Sequence, residues 1–294
     1  MPYQFLEHSI DFGDVHSSEE EIKSTWDDFR DALKNKEFTY EEVSKATASG
    51  FLKTFNELFT LCTDRFECSL KDVKKRSYFK RGTILKETES VTAERFLPKA
   101  EFIKQSNRFS PIGVEWLYLA VSRRETRAEE CTMKECRASS GNRFGICTFA
   151  IKREIENKKI VDLTFADDLT YESINSGLER TYKEIRDARM KKSRRKKKLA
   201  TTTQAEQNKL KSAVVDWTVK TYLKLMSEQI FKPLEDTDDR ELMYAPFQCI
   251  AQYFLDKGYS GIKYKSTVCD SAKNIVLFDK TYAEPVGDIK DFII

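Results

Sequence analysis

Residues 114–122 read VEWLYLAVS, a nearly continuous apolar run. It is too short to span a membrane and has the length of a buried strand, so the chain is expected to form a sheet around it. Other segments have strand composition: SYFKRGTIL (77–85), RFGICTFAI (143–151), KKIVDLTF (158–165), GIKYK (261–265) and NIVLFD (274–279). The chain before residue 77 has a different period. Ile22, Trp26, Phe29 and Leu33 form one helical stripe, and Ser18 with Glu21 makes a capping-box signal at its start. Thr39 and Glu42 repeat that signal before a helix ending near Gly50, and Leu52, Phe55, Leu58 and Phe59 suggest a third helix. Ser122 and Glu125 cap a helix expected over 123–135. A long helix is expected over 171–198, with Ile174, Leu178, Tyr182 and Ile185 on one face. Residues 200–208 read as a solvated loop, followed by a helix from about Ser212, a helix over 245–257 and a GYSG turn. The resulting expectation is an α+β fold. An N-terminal helical module (1–76) precedes a main domain (77–294), which carries a basic surface insertion at about 186–211.

Composition narrows the function. Hydrophobic residues are 40% and aromatics 12% of 294 residues, enough for a real core and too many for global disorder. Lys and Arg total 51 against 48 Asp and Glu, so the chain as a whole is not a generic polyanion binder. No run of apolar residues is long enough for a membrane span, and the acidic N-terminus does not read as a secretory signal. Seven cysteines, an odd count without a disulfide framework, suggest a reducing cytoplasm. Cys131 and Cys136, like Cys62 and Cys68, are spaced more loosely than most structural zinc pairs, and read as buried or incidental thiols. The only histidines, His8 and His16, lie in what reads as a frayed N-terminus, which argues against catalysis by a histidine base. From Arg186 to Lys198, 9 of 13 residues are Lys or Arg against one Asp. That run could neutralise phosphates of a polyanion, or could be a solvated charge block at a helix end.

A quieter set of residues carries the chemistry. The string N-R-F-S-P-I-G-x-E-W-L-Y-L-A (107–120), followed by R-x-E-E (127–130), resembles the middle block of the RES domain, a family named for its arginine, glutamate and serine. The tail Y-x-P-x-Q-x-I-A-x-Y-F-x-x-x-G-Y-S-G-I-K-Y-x-S (244–266), followed by N-I-V-L-F, is similar to its C-terminal block. FKRG (79–82) is similar to the short block that holds an early arginine. The resemblance covers about 77–285 and leaves out the helical start and the basic segment. It implies an ADP-ribosyltransferase-like fold and cleavage of NAD+ at the nicotinamide–ribose bond, with no metal. It also implies a bacterial toxin, restrained by a cognate antitoxin, that depletes NAD+ by hydrolysis or phosphorolysis.

Carried across, Arg81 and Arg108 match the two arginines, Tyr118 the strand tyrosine, Glu129 the glutamate and Ser266 the serine. Glu130 is the alternative glutamate, and the interval from Tyr118 favours Glu129. In that scheme Arg81 and Arg108 grip the pyrophosphate, and Tyr118 stacks on nicotinamide. Glu129 stabilises the oxocarbenium-like ribose, and Ser266 holds a ribose hydroxyl or orients the glutamate. Two other readings stand beside it: ADP-ribosyl transfer to a macromolecule, and nucleic-acid binding through the basic run.

Overall fold

The structure is a computed structural model that describes residues 3–48, 50–196, 201–231, 239–269 and 272–294. In chain order its elements begin with β1 (Tyr3–Phe5), β2 (His8–Ile10), α1 (Val15–Lys34), α2 (Val43–Ala46), α3 (Gly50–Leu61), α4 (Thr63–Phe66), β3 (Glu67–Ser69) and α5 (Leu70–Lys74). The middle of the chain forms β4 (Tyr78–Leu85), β5 (Leu117–Ser122), α6 (Glu125–Glu135), β6 (Arg143–Ile151) and β7 (Lys159–Asp162). It closes with α7 (Tyr171–Lys196), α8 (Gln204–Phe231), α9 (Arg240–Asp256), β8 (Gly261–Lys265), β9 (Lys273–Leu277) and β10 (Ala283–Ile293). The fold is α+β. Among the described residues, no helix is long and apolar enough to cross a membrane.

Eight strands form one mixed sheet in the order β10-β6-β4-β5-β9-β8-β7-β3. Every neighbouring pair is antiparallel except β7 with β8. The central run is apolar throughout because both faces of β5 are covered. Leu117, Leu119 and Val121 enter a core with Phe79, Phe149, Ile275 and Leu277 on one face. On the other face, Tyr118 packs against a larger core that holds Ile262, Tyr264 and Val276. That larger core also takes Ile22, Trp26, Phe51 and Phe55 from α1 and α3, with Tyr222 of α8 and Phe247 and Phe254 of α9. Trp26 meets the Phe247 ring at 5.4 Å, and Phe55 meets Phe254 at 6.0 Å. The N-terminal helices thus share their apolar interior with the C-terminal ones.

Three local expectations change. Helix α1 starts at Val15, with Asp14 accepting from Ser17 N at 3.1 Å as its cap. Ser18 is not the cap but a buried residue inside the helix, whose Oγ accepts from Asp11 N at 3.0 Å and donates to Ser9 O at 3.3 Å. The segment read as a loop over 200–208 is helical from Gln204. Thr203 and Glu206 cap it reciprocally, with Thr203 N donating to Glu206 Oε2 at 2.9 Å and Glu206 N to Thr203 Oγ1 at 3.3 Å. The basic run therefore lies at the end of α7 in an antiparallel hairpin with α8, tied by Lys192–Glu206 and Lys209–Glu184 pairs at 2.7 and 2.8 Å. Lys197 and Lys198 lie outside the described residues.

The N-terminus does not fray around His8. It forms the β1–β2 hairpin, and His8 is 3% exposed, its Nε2 sharing a 2.7 Å hydrogen bond with Tyr222 Oη. Burial holds its pKa below the ordinary 6.5, against the opposing pull of Glu21. The unfolded imidazole therefore takes a proton that the folded one refuses, and stability falls as pH drops through about 6.5. Melting temperatures between pH 7.5 and 5.5 should show that loss. His8→Gln, which keeps a partner for Tyr222 without titrating, should flatten it, and an unchanged slope would count against the assignment.

Candidate active site

Register sets Tyr118, Ala120, Asn274 and Tyr264 on one face of the sheet, with Lys80 opposite Ala120 on that face and Arg81, the next residue of β4, starting from the other. Tyr118 lies opposite Val276 and Ala120 opposite Asn274 across β5 and β9, while Ile262 lies opposite Val276 and Tyr264 opposite Asn274 across β8 and β9. Side chains two residues apart share a face, so Tyr118, Ala120, Asn274 and Tyr264 all point to the same side. Ser266 follows two residues after Tyr264. The turn before β8 allows this approach. Gly258 has φ +83°, and a Cβ on Gly261 would lie 2.3 Å from the Val276 carbonyl oxygen.

Arg81 is one of four described residues with a buried side-chain polar atom that lacks a partner. Its Nη1 is buried with no hydrogen-bond partner, and burial lowers its pKa to about 10. Cys136 and Tyr118 oppose that lowering. Tyr118 shares a 2.9 Å hydrogen bond with fully buried Ser110, and burial pushes its hydroxyl well above the ordinary tyrosine range. Arg108 donates from Nη1 to the Ile230 carbonyl and lies 5.3 and 5.6 Å from the Tyr244 and Phe247 ring centres. Gln248, from the same helix as those rings, donates to the Asn107 carbonyl at 3.3 Å. The C-terminal block thus holds the loop that carries Arg108.

The carboxylates divide between two sides of α6. Glu129 faces Lys80 and Lys290, with Oε1 at 3.3 and 2.6 Å from their Nζ atoms. Lys80 is 2% exposed, and its Nζ also donates to Glu125 at 2.5 Å and to Thr148 at 2.7 Å. Glu130 pairs with Arg127 and Lys134 on the helix surface. Glu135, which the motif spacing does not pick out, reaches Ser266: Ser266 Oγ donates to its Oε1 at 2.8 Å. The structure thus sets Arg81 on the strand next to that of Tyr118 and brings Ser266 to Glu135, while Glu129 sits with two lysines. Lys80, Ser110, Asn274 and Glu135 escaped the sequence reading. Only Glu135 had a usable signal, lying four residues after buried Cys131 on the same helix face.

The RES domain family model matches residues 183–292, in keeping with the resemblance of the C-terminal block. The match includes Ser266 and the 186–211 segment, which the sequence reading had left outside the RES blocks. Arg81, Arg108, Tyr118 and Glu129 lie before it. At family level this supports an NAD-related, toxin-type activity. No curated protein and no solved structure matches the chain.

An unsatisfied buried polar group costs roughly 1–3 kcal/mol, more if charged. Arg81→Met should therefore raise the melting temperature by at least a few degrees in the absence of ligand. A clear fall would mean that Arg81 has a structural partner.

Proposed function

We propose that the protein consumes NAD+ by breaking the bond between nicotinamide and ribose, on an ADP-ribosyltransferase-like scaffold. The observation that carries this reading is Arg81, whose Nη1 is buried and unpaired, on the strand beside the one that carries Tyr118, a partly buried aromatic that can stack on a base. The substrate has the complementary parts. Its pyrophosphate suits the forked donors of Arg81, with Arg108 as a second cation. Its nicotinamide ring suits the face of Tyr118. As nicotinamide leaves, positive charge builds on C1 of the ribose, and a nearby carboxylate lowers the barrier. The leaving group is neutral once expelled, so no general acid is needed, and no step calls for a metal. Water or phosphate takes the ribose carbon and gives up a proton. In the cell this reading makes the protein a cytoplasmic toxin or defence effector, held in check by a partner.

The test is product analysis. Purified protein incubated with NAD+ should release nicotinamide with no macromolecule present, leaving ADP-ribose, or its phosphorylated form if phosphate is the acceptor. Release that requires an added macromolecule would favour ADP-ribosyl transfer, and no release would sink the proposal. Tyr118 should act through its ring. Tyr118→Phe should keep most turnover at a small cost in stability, since Ser110 loses its partner. Tyr118→Ala should lose stacking worth ~1–3 kcal/mol, about 5- to 150-fold. Loss of turnover in Tyr118→Phe at an unchanged melting temperature would assign the work to the hydroxyl.

A further inference from the structure

The basic end of α7 has no part in the site described above. From Arg186 to Lys198, 9 of 13 residues are Lys or Arg against one Asp, while the chain as a whole is only +3, so the remainder of the protein is net acidic. A helix C-terminus favours cations, but that effect fades within the last turn. This run starts at Arg186, ten residues before the helix ends at Lys196. Like charges three and four residues apart on a helix also repel. The helix dipole therefore does not account for the run.

Few carboxylates answer it. Lys192 pairs with Glu206 at 2.7 Å, and Arg186 lies 3.5 Å from neighbouring Asp187. Arg189, Lys191 and Arg194 have no ion pair among the described residues. No aromatic residue lies within the run itself, and the fold supplies two. Tyr3 of β1 and Tyr182 of α7 line a cavity of about 460 Å³ together with Arg186, Arg189 and Lys211. Both rings are braced by Phe12, Tyr182 stacked on it at 4.5 Å and Tyr3 tilted against it at 5.8 Å. Glu206, the acid on the same wall, is taken by Lys192 and the Thr203 amide.

We propose that the basic end of α7 and the cavity beside it bind single-stranded nucleic acid. Arg186, Arg189, Lys191 and Arg194 meet phosphates, and an unstacked base enters the cavity against Tyr3 or Tyr182. A cavity of this volume has the size of a small-ligand cleft. A duplex keeps its bases stacked inside and offers the run only its backbone. A lipid surface calls for an apolar face beside the cations. The apolar stripe of α7, Ile174, Leu178 and Ile185, is buried, and from Arg186 to Arg194 Met190 is the one exposed large apolar residue. The inference does not depend on the NAD+ reading.

Fluorescence anisotropy with a labelled oligo(dT) of about 20 nucleotides, over a range of salt concentrations, tests it. Four phosphate contacts predict that log Kd rises with log salt at a slope of about 3, a loss of roughly 50-fold between ~50 and ~200 mM. Arg186→Gln, Arg189→Gln, Lys191→Gln and Arg194→Gln combined should weaken binding at least ~10-fold at ~50 mM and cut the slope by more than half, at a melting temperature close to that of wild type. Arg189→Gln and Arg194→Gln alone, each lowering the slope by about 0.7, carry the test if the combined variant does not fold. An abasic strand of the same length keeps the phosphates without the bases, and should bind at least ~5-fold more weakly than oligo(dT). The inference is overturned if oligo(dT) does not bind, if the folded variants keep the wild-type slope, or if the abasic strand or a duplex of equal length binds as tightly as oligo(dT). Tighter binding to phosphatidylserine vesicles than to oligo(dT) would overturn it in favour of a membrane surface.

Discussion

Antiparallel pairing of β9 between β5 and β8 is the constraint on which the site depends. It sets Tyr118 and Ala120, Asn274 and Val276, and Tyr264 and Ile262 in rows on one face. A slip of one residue in either ladder would turn Asn274 to the opposite core and bring Ile275 to the site. Core packing guards against that slip from both sides. Ile275 and Leu277 are fully buried with Leu117 and Leu119, and Val276 is fully buried with Ile262. The apolar mass of the sheet thereby fixes where a handful of polar atoms stand.

Two adjacent cations on β4 show how burial separates structural charge from chemistry. Lys80 is enclosed and answered by Glu125, Glu129 and Thr148. Arg81, its neighbour, has a buried Nη1 with no answer at all. A buried polar atom with no partner is unfavourable for folding. The same contrast separates the carboxylates of α6, where Glu129 answers lysines while Glu135 is held by neutral donors.

Much of this was readable from residue patterns, and the failures have physical causes. The strands over 143–151 and 261–265 stand where composition put them, and the helix after β5 begins two residues past the expected point. The β1–β2 hairpin was missed because three-residue strands are too short to show a period, and because burial of His8 depends on Tyr222, far away in sequence. The last strand contains Pro285 and Gly287, residues that break strand patterns but are tolerated on an edge and at an irregular register. Thr203 and Glu206 did carry the start signal of α8, masked by the polar sequence around them. At the site, spacing within a motif counts residues along a helix and cannot tell which side of it a carboxylate occupies. That needs the strands beneath.

The central claim is that Arg81 waits for the anionic part of a dinucleotide. Calorimetric titration with ADP-ribose, which carries the pyrophosphate and both riboses but cannot react, tests it most directly. Wild type should bind, and Arg81→Met, folded and at least as stable, should bind at least tenfold more weakly, as expected for losing a charge-assisted contact of about 1.5–3 kcal/mol. Equal affinity in the two proteins would contradict the account.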